Sequence, residues 1–482
     1  MTTRWVAGHL PPAFAREARW HTLAFGDLQV EVPRLDAPAM RELARHVAAA
    51  GREHLKPLAV STVIGHVDRA VARLLDPQDP YRREADALLP RVTGLDAGMV
   101  SLALTGYLKT FRAPQLHRFV AEDFANPKVL DEFQPAVKGG LVRALGPRLL
   151  AHSWAGNVPG LPLWSLACGL LVKAPAIGKL PSAEPVFASL FARLLAEVHP
   201  PWAGCLAVLW WPGGEPEPAA TLYAEADTVL AYGGTETMRQ LRVQVPPHTR
   251  LLAFGHKLAL GLVGRQALDA QRGPATARLA AHDVARYEQQ GCYSPHVFYV
   301  ERGGRLAPRE FAQHLAGELA NLQQRYPRRT LALEEAAAVA RWRDAGQAGL
   351  GEGDAWIADE RGAWAVSYAD SFRPLAPTAG QRCVQVVAVE SLDQAVDALA
   401  PHAPFLQTVG VAVEPAALLP LSERLAAAGA TRICALGGMT APEAGWHHDG
   451  RFNLLDLVRM VEIEQGAERS AERYAPYAQE ET

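Results

Sequence analysis

The sequence predicts an α/β protein whose parallel sheets are covered by helices on both faces. Three observations carry this reading. From residue 149 onward, short apolar runs alternate with helical stretches, the pattern of strand–helix–strand units. Hydrophobic residues make up 49% and charged residues 21% of the chain, an ordinary globular composition. The length of 482 residues suits two or three domains of about 100–200 residues, or one large α/β unit with additions.

Residues 1–36 are mixed, with a short strand expected at 28–32 (LQVEV). Apolar residues recur every three or four positions over 37–50, 60–75 and 95–111, so the first third reads as mainly helical. Between 149 and 172 the only side chain that can carry charge near neutral pH is His152. A membrane-spanning helix needs about 20 apolar residues. This run is interrupted by Gly156, Asn157, Pro159, Gly160 and Pro162, which would leave backbone groups unpaired in lipid. A buried strand (149–153), a tight loop and a buried helix fit it better. Further strands are expected at 169–174, 206–211, 228–231 and 250–254. A helix over 182–198 carries Glu184 and Pro185 in its first turn, and Thr235 caps another.

A second α/β region follows Gly264. A helix over 275–290 ends at Gly291, ahead of Cys292 and a strand at 296–301. Helices are expected at 308–324 and 333–345, two strands flank a hairpin-like turn at 359–362, and strands follow at 384–389, 408–413 and 431–435. The division expected is an N-terminal extension (1–36), a helical region (37–139), a cofactor domain (140–264) and a catalytic domain (265–445). A C-terminal segment (446–482) returns to the cofactor domain or to an oligomer interface, and its tail after Gln465 is polar.

Charge excludes some partners. Acidic and basic residues number 51 and 48, for a net −3, which points away from nucleic acid and from anionic membranes. The five cysteines (168, 205, 292, 383 and 434) are widely spaced and form no CxxC pair, so neither a closed zinc site nor a disulfide framework is indicated. The N-terminus has no apolar core of signal-peptide length. Reduced thiols in the cytoplasm are the expectation. No GxGxxG, GxSxG or GxxxxGK[ST] motif is present, which disfavours a standard dinucleotide fold, an α/β-hydrolase and a P-loop NTPase.

Several residues are candidates for chemistry. Cys292 lies in QQGCYSPH, on a loop between a helix end and a strand, where a thiol has the access a nucleophile needs; a small buried hydrophobe fits the position too. Asn157 in WAGNVPG is a neutral donor able to hold an oxyanion, or a simple turn residue. Lys173 and Lys179 are placed to meet ribose hydroxyls or a phosphate, or to be solvated. Gly233 and Gly234 precede Thr235 at a helix start, where backbone N–H groups can approach a pyrophosphate; a tight turn is the alternative. The WHHDG segment (446–450) invites a metal reading, but neighbouring loop residues rarely all face one ion.

Asn-x-Pro, a lysine-ended strand, Gly-Gly at a helix start, GHK and then Gly-Cys occur in this order. The order resembles the aldehyde dehydrogenase superfamily, and more closely the acyl-CoA reductases of the LuxC type. The segments that carry the likeness are 152–200, AYGGTETMRQLR (231–242), FGHKLAL (254–260), QQGCYSPHVFYVE (289–301) and 445–464. It covers roughly residues 40–465. The resemblance implies a fold with nucleotide-binding and catalytic α/β domains and a helical N-terminal region. It implies Cys292 as the acyl-accepting nucleophile, with Asn157 and the Cys292 backbone N–H as the oxyanion hole. It implies Lys173 at the adenosine ribose and the Gly233–Gly234 turn, ahead of Thr235, near the pyrophosphate and nicotinamide. It implies that WHHDG lies near the active-site mouth, where His447 or His448 donates a proton to the departing alkoxide or contacts substrate, a structural turn being the alternative, with His256 also on the substrate side.

Hydrolytic aldehyde dehydrogenases carry a glutamate just before the Gly-Gly-Lys that matches Gly255–His256–Lys257. Here no carboxylate lies between Glu236 and Asp269, so the thioacyl enzyme lacks a base for water. That favours coenzyme A-linked reduction over oxidation to a free acid. NAD-preferring relatives often place a glutamate three residues after the ribose lysine. Ala176 stands there, and Lys179 is free to pair with a 2′-phosphate. The expected cofactor is NADPH, with NADH as the alternative. The expected substrate is an acyl-CoA or acyl-carrier thioester. The expected assembly is a homo-oligomer, with an acyl-transferring or acyl-activating partner protein as an option. Competing readings are a semialdehyde or acyl-phosphate reductase on the same fold, and a non-catalytic subunit of a complex.

Overall fold

A computed structural model of the chain describes residues 2–476. Two parallel sheets dominate. The first has five strands in spatial order Arg250–Phe254, Thr228–Tyr232, Leu150–Ser153, Ala176–Lys179 and Leu206–Leu209, all parallel. The second has seven: Ala355–Ala358, Ala365–Ala369, Cys383–Val389, Pro295–Glu301, Leu258–Val263, Leu406–Ala412 and Arg432–Ala435, with only the first antiparallel. Leu258–Val263 thus belongs to the second sheet. The change of sheet falls at Gly255–Lys257, ahead of the expected boundary at 264.

Both faces of each sheet are covered, and alternate residues of each strand enter different cores. In the first sheet Leu150, Leu206 and Val208 pack with the helices Val60–Leu75, Pro162–Leu171 and Phe187–Val198. Ala151, Ala207 and Leu209 pack with Ala37–His54 and Pro216–Glu225 on the other face. In the second sheet Val263, Phe298 and Val386 meet Arg272–Ala285 and Pro308–Arg325. Leu260, Tyr299 and Val387 meet Leu392–Asp397 and Pro415–Ala427.

Several elements differ from the sequence reading. The strand expected at 169–174 is the end of the helix Pro162–Leu171, and the strand is Ala176–Lys179. All ten residues of that helix are buried. A helix apolar on every side has no period to separate it from a strand. The helix expected from 182 begins at Phe187, because Glu184 folds back and accepts from the N–H groups of Val186 and Phe187. Gly234, not Thr235, occupies the capping position of Thr235–Gln244, and no side chain caps that helix. Two further N-terminal helices, Pro80–Thr93 and Ala113–Asp123, escaped the periodicity argument.

The N-terminal segment folds into a three-stranded sheet from Thr3–Val6, Arg19–Phe25 and Leu28–Arg34. It docks on the edge of the first large sheet, where His9 and Val208 exchange backbone hydrogen bonds and the Trp210 N–H donates to the Pro33 carbonyl. The strand Arg459–Ile463 returns to pair with Leu141–Leu145, which pairs in turn with Gln134–Pro135. The helix Gln465–Glu472 follows; the last part of the polar tail, 477–482, lies outside the described residues. Among the described residues no helix is long and apolar enough to cross a membrane.

Candidate active site

A cavity of about 520 Å³ lies where the two sheets meet. From the first sheet it takes segments at the carboxyl ends of three adjacent strands: Ala155–Val158, Tyr232–Gly234 and Phe254–Lys257. From the second it takes segments at the amino ends: Gly291–Tyr293 before Pro295–Glu301, Thr378–Gln381 before Cys383–Val389, and Gln407 at the start of Leu406–Ala412. Ligand sites at strand carboxyl ends are general for open parallel sheets. The thiol arrives from the opposite edge of a second sheet.

The helix leading to Cys292 stops at Ala285. Tyr287, Glu288 and Gln289 then take left-handed backbone angles, with φ of 54°, 54° and 62°. Such a run of non-glycine residues is held from outside. Glu288 is paired with Arg382 through bonds of 2.8 and 2.9 Å, both side chains fully buried. The Gln289 amide donates to the carbonyls of Pro295 (2.7 Å) and Cys383 (3.0 Å). The sequence reading ended the helix at Gly291, beyond this run. Gly291 serves another need: a Cβ there would lie 2.4 Å from the Tyr293 ring. The result is a pinned turn that presents Cys292 to the cavity.

Cys292 is half-buried and lines the cavity. Burial pushes the thiol up to about 11; the Asp449 carboxylate adds to the rise, and a hydrogen bond from Gln407 and the Lys257 charge oppose it. The Gln407 amide donates to Cys292 Sγ at 3.3 Å and to Asp449 Oδ1 at 2.5 Å. Lys257 Nζ stands 3.8 Å from Asp449 Oδ2. Cys168, Cys205 and Cys383 are buried away from the cavity.

The other anticipated residues divide. Asn157 is exposed to the cavity and donates to the Gln290 carbonyl at 2.7 Å, against the Cys292 turn. Lys173 does not end a strand. It is buried in the turn after a helix, with φ 57° and its ammonium 2.5 Å from Asp131. The strand-end lysine is Lys179, whose ammonium lies 5.7 Å from the Trp211 ring centre and forms no ion pair with the described residues. Burial lowers it to about 8. Three residues beyond Lys179 is Ser182, which accepts from the Trp210 indole; Ala176, the position counted from Lys173, is inside the strand. Gly233 and Gly234 line the cavity, and a Cβ at Gly234 would meet nothing within 4 Å. Thr235 opens the helix behind them.

His256 is exposed on the cavity rim. His448 is buried and lines the cavity, stacked on Phe254 at 4.5 Å and beside Tyr232 at 5.9 Å. Burial lowers its imidazole, partly offset by Asp449. His447 faces elsewhere, toward Asp123 at 4.0 Å and Phe452. Among the described residues no cluster of His, Cys, Asp and Glu is placed to hold a metal ion. Gln407, Asp449 and Lys257 were not singled out from sequence as groups around the thiol. The available signals were a lone glutamine in the apolar run PFLQTVGVAV and the acid in WHHDG.

Comparison with known proteins fits this architecture. The family model for acyl-CoA reductase (LuxC) matches residues 55–460. The long-chain acyl-protein thioester reductase of Aliivibrio fischeri is 29% identical over 367 residues, covering 73% of this chain and 71% of that protein. The Vibrio harveyi protein of the same description is 25% identical over 384 residues, covering 78% and 75%. Among solved structures, aldehyde dehydrogenase 21 from Physcomitrella patens superposes with a TM-score of 0.73 at 13% identity, covering 96% of this chain and 99% of that one. The P. syringae indole-3-acetaldehyde dehydrogenase AldA, in complex with NAD+, gives 0.67 at 15% identity, covering 90% of each chain. The fold is therefore that of the aldehyde dehydrogenases, and the chain belongs to the LuxC family of acyl-CoA reductases.

Proposed function

We propose that this chain reduces an acyl thioester to the aldehyde, with Cys292 as the acyl acceptor and NADPH as the reductant. The observation that carries the reading is the placement of one thiol in the cavity between two sheets, beside Asn157 and without a carboxylate in 237–268. The names of the relatives support a long-chain acyl thioester as substrate. Tyr107, Val158, Leu161, Trp164 and Tyr293 give the cavity an apolar wall suited to such a chain.

Cys292 sulfur attacks the thioester carbonyl. The bond to the carrier sulfur breaks, and the Cys292 proton leaves with the departing thiol. Asn157 gives one N–H to the Gln290 carbonyl; its second N–H and the Cys292 backbone N–H are the donors for the oxyanion. Lys179 fits an anionic cofactor because it is a desolvated ammonium without a counter-charge among the described residues. The uncapped N–H groups at the start of Thr235–Gln244, reached past Gly233 and Gly234, suit a pyrophosphate. Ser182 and the folded-back Glu184 leave no carboxylate facing out to repel a 2′-phosphate. The bound nicotinamide supplies the hydride. Collapse of the resulting thiohemiacetal frees the aldehyde and returns the proton to Cys292. The balance is acyl-CoA + NADPH + H+ → aldehyde + CoA + NADP+.

NADPH oxidation with short, branched and long acyl-CoAs, beside Cys292→Ala, tests this reading. The expected result is cofactor consumption matched by coenzyme A release and abolished in the variant. An acyl-protein donor tests carrier-bound substrates. Cofactor use without thiol release, as with an acyl phosphate, would overturn the thioester reading.

A further inference from the structure

The WHHDG segment and Gln407 have no role in the steps above, yet they meet at the sulfur. Gln407 is fully buried. Its Nε2 faces both Asp449 Oδ1 (2.5 Å) and Cys292 Sγ (3.3 Å), and its Oε1 accepts from Thr408 Oγ1 at 3.3 Å. Its backbone carbonyl is held by the Thr431 N–H at 3.0 Å. Asp449 has a 7% exposed side chain and a left-handed backbone, φ 55°. Lys257 lies 3.8 Å from its other oxygen and donates to the Pro404 carbonyl at 3.3 Å.

We propose that Gln407 and Asp449 are a positioning pair for Cys292: the carboxylate fixes the amide so that an N–H is aimed at the sulfur. This rests on Cys292 being the acyl acceptor proposed above. Turning the amide over would place Oε1 against the carboxylate, acceptor against acceptor, and would lose the bond from Thr408. The carboxylate therefore selects the orientation. The two members then act on the thiol in opposite senses. An N–H donor favours thiolate, whereas a neighbouring negative charge disfavours it. Lys257 acts with the donor; the Tyr232 and Tyr293 rings and the stacked His448 are the other titratable groups around the sulfur and carboxylate. The pair thus holds the thiol in one direction while leaving it protonated in the absence of substrate.

The test is the pH profile of iodoacetamide alkylation in the full-length protein without substrate or cofactor, read on the Cys292 peptide by mass spectrometry. Asp449→Asn keeps an acceptor and tolerates the left-handed backbone. Its profile is expected to move to lower pH by about one unit, giving roughly tenfold faster alkylation at pH 7. Gln407→Met is expected to move it the other way by a similar factor, with Gln407→Leu as the alternative if the methionine variant melts early. Turnover is expected to fall in kcat in both, so that Asp449→Asn pairs a more reactive thiol with a slower enzyme. Shifts of the same sign, or none, in folded variants of an active enzyme would overturn the pair alone. Opposed shifts in a protein that accepts no acyl group would support the pair's hold on the thiol and overturn the reduction reading.

Discussion

The turn that delivers Cys292 depends on one buried ion pair, and Glu288→Gln measures how much. The pair has two bonds, 2.8 and 2.9 Å, between side chains with no exposure. Arg382 also donates to Gln323 (2.9 Å) and to the Tyr326 carbonyl (2.8 Å), so it stays in place when Glu288 changes. Removing one member of a buried pair costs about 3–5 kcal/mol, because the other charge is left uncompensated. Left-handed backbone costs a non-glycine residue roughly 1–2 kcal/mol, so the run Tyr287–Gln289 stores a comparable amount. The variant should therefore both destabilise the region built on the second sheet and let the turn relax. For a cooperative unit of 150–250 residues, each kcal/mol moves the melting temperature by about 2–4 °C, so a drop of roughly 6–20 °C is expected. Thermal melting followed by fluorescence reads the first effect, and acylation of Cys292 by a labelled acyl-CoA reads the second. The double variant Glu288→Leu/Arg382→Met removes both charges and should regain most of the stability while acylation stays impaired. A single variant that loses less than about 1 kcal/mol, or a double variant that loses the sum of both singles, would refute the reasoning.

Other expectations follow from the same contacts. Asn157→Ala removes the proposed oxyanion donor and should lower the acylation rate by about 10²–10³, measured in a single turnover. Lys179 is held to about 8 by burial, so NADPH binding should weaken as pH rises through about 8; Lys179→Arg, charged throughout, should abolish that rise in KM, and Lys179→Met should raise KM at all pH values. Burial raises the Glu184 carboxyl from 4.5 to about 7. Between those values the folded state holds a proton that the unfolded state has lost, so the stability it contributes is full below about 4.5 and lost as pH rises through about 7, roughly 3 kcal/mol in all. Glu184→Gln keeps an acceptor for the Val186 and Phe187 amides, and urea titrations should find it less sensitive to a change from pH 5 to pH 8 than the wild type.

The parts of the fold with strong local signals were legible from sequence. The helix Val60–Leu75 and the strands at 228–232 and 250–254 lie where periodicity and apolar runs placed them. The loop position of Cys292 was readable because a glycine, a serine and a proline surround it. Lys173 was misplaced for a physical reason: a lysine after a uniformly apolar run looks the same at a helix end as at a strand end. The short run AIGK, bounded by Pro175 and Pro181, was the better strand. The left-handed angles at 287–289 were hidden because no glycine marks them. Gln407 and Asp449 are 42 residues apart, and their contact exists only once Leu406–Ala412 and the WHHDG loop converge on the cavity.

That contact also bears on why a site without the hydrolytic glutamate favours reduction. A base for water needs a carboxylate lone pair free to accept its proton. Asp449 is the carboxylate whose charge acts on the Cys292 sulfur, yet Oδ1 is taken by the Gln407 amide and Oδ2 faces Lys257. His448 is held in a ring stack with Phe254 and Tyr232 and sits 3.9 Å from the same Oδ1. The missing glutamate is therefore not replaced by Asp449. In the proposed reaction the acyl group on Cys292 would be poorly served for attack by water, and the exits left to it are hydride capture and return to a carrier thiol.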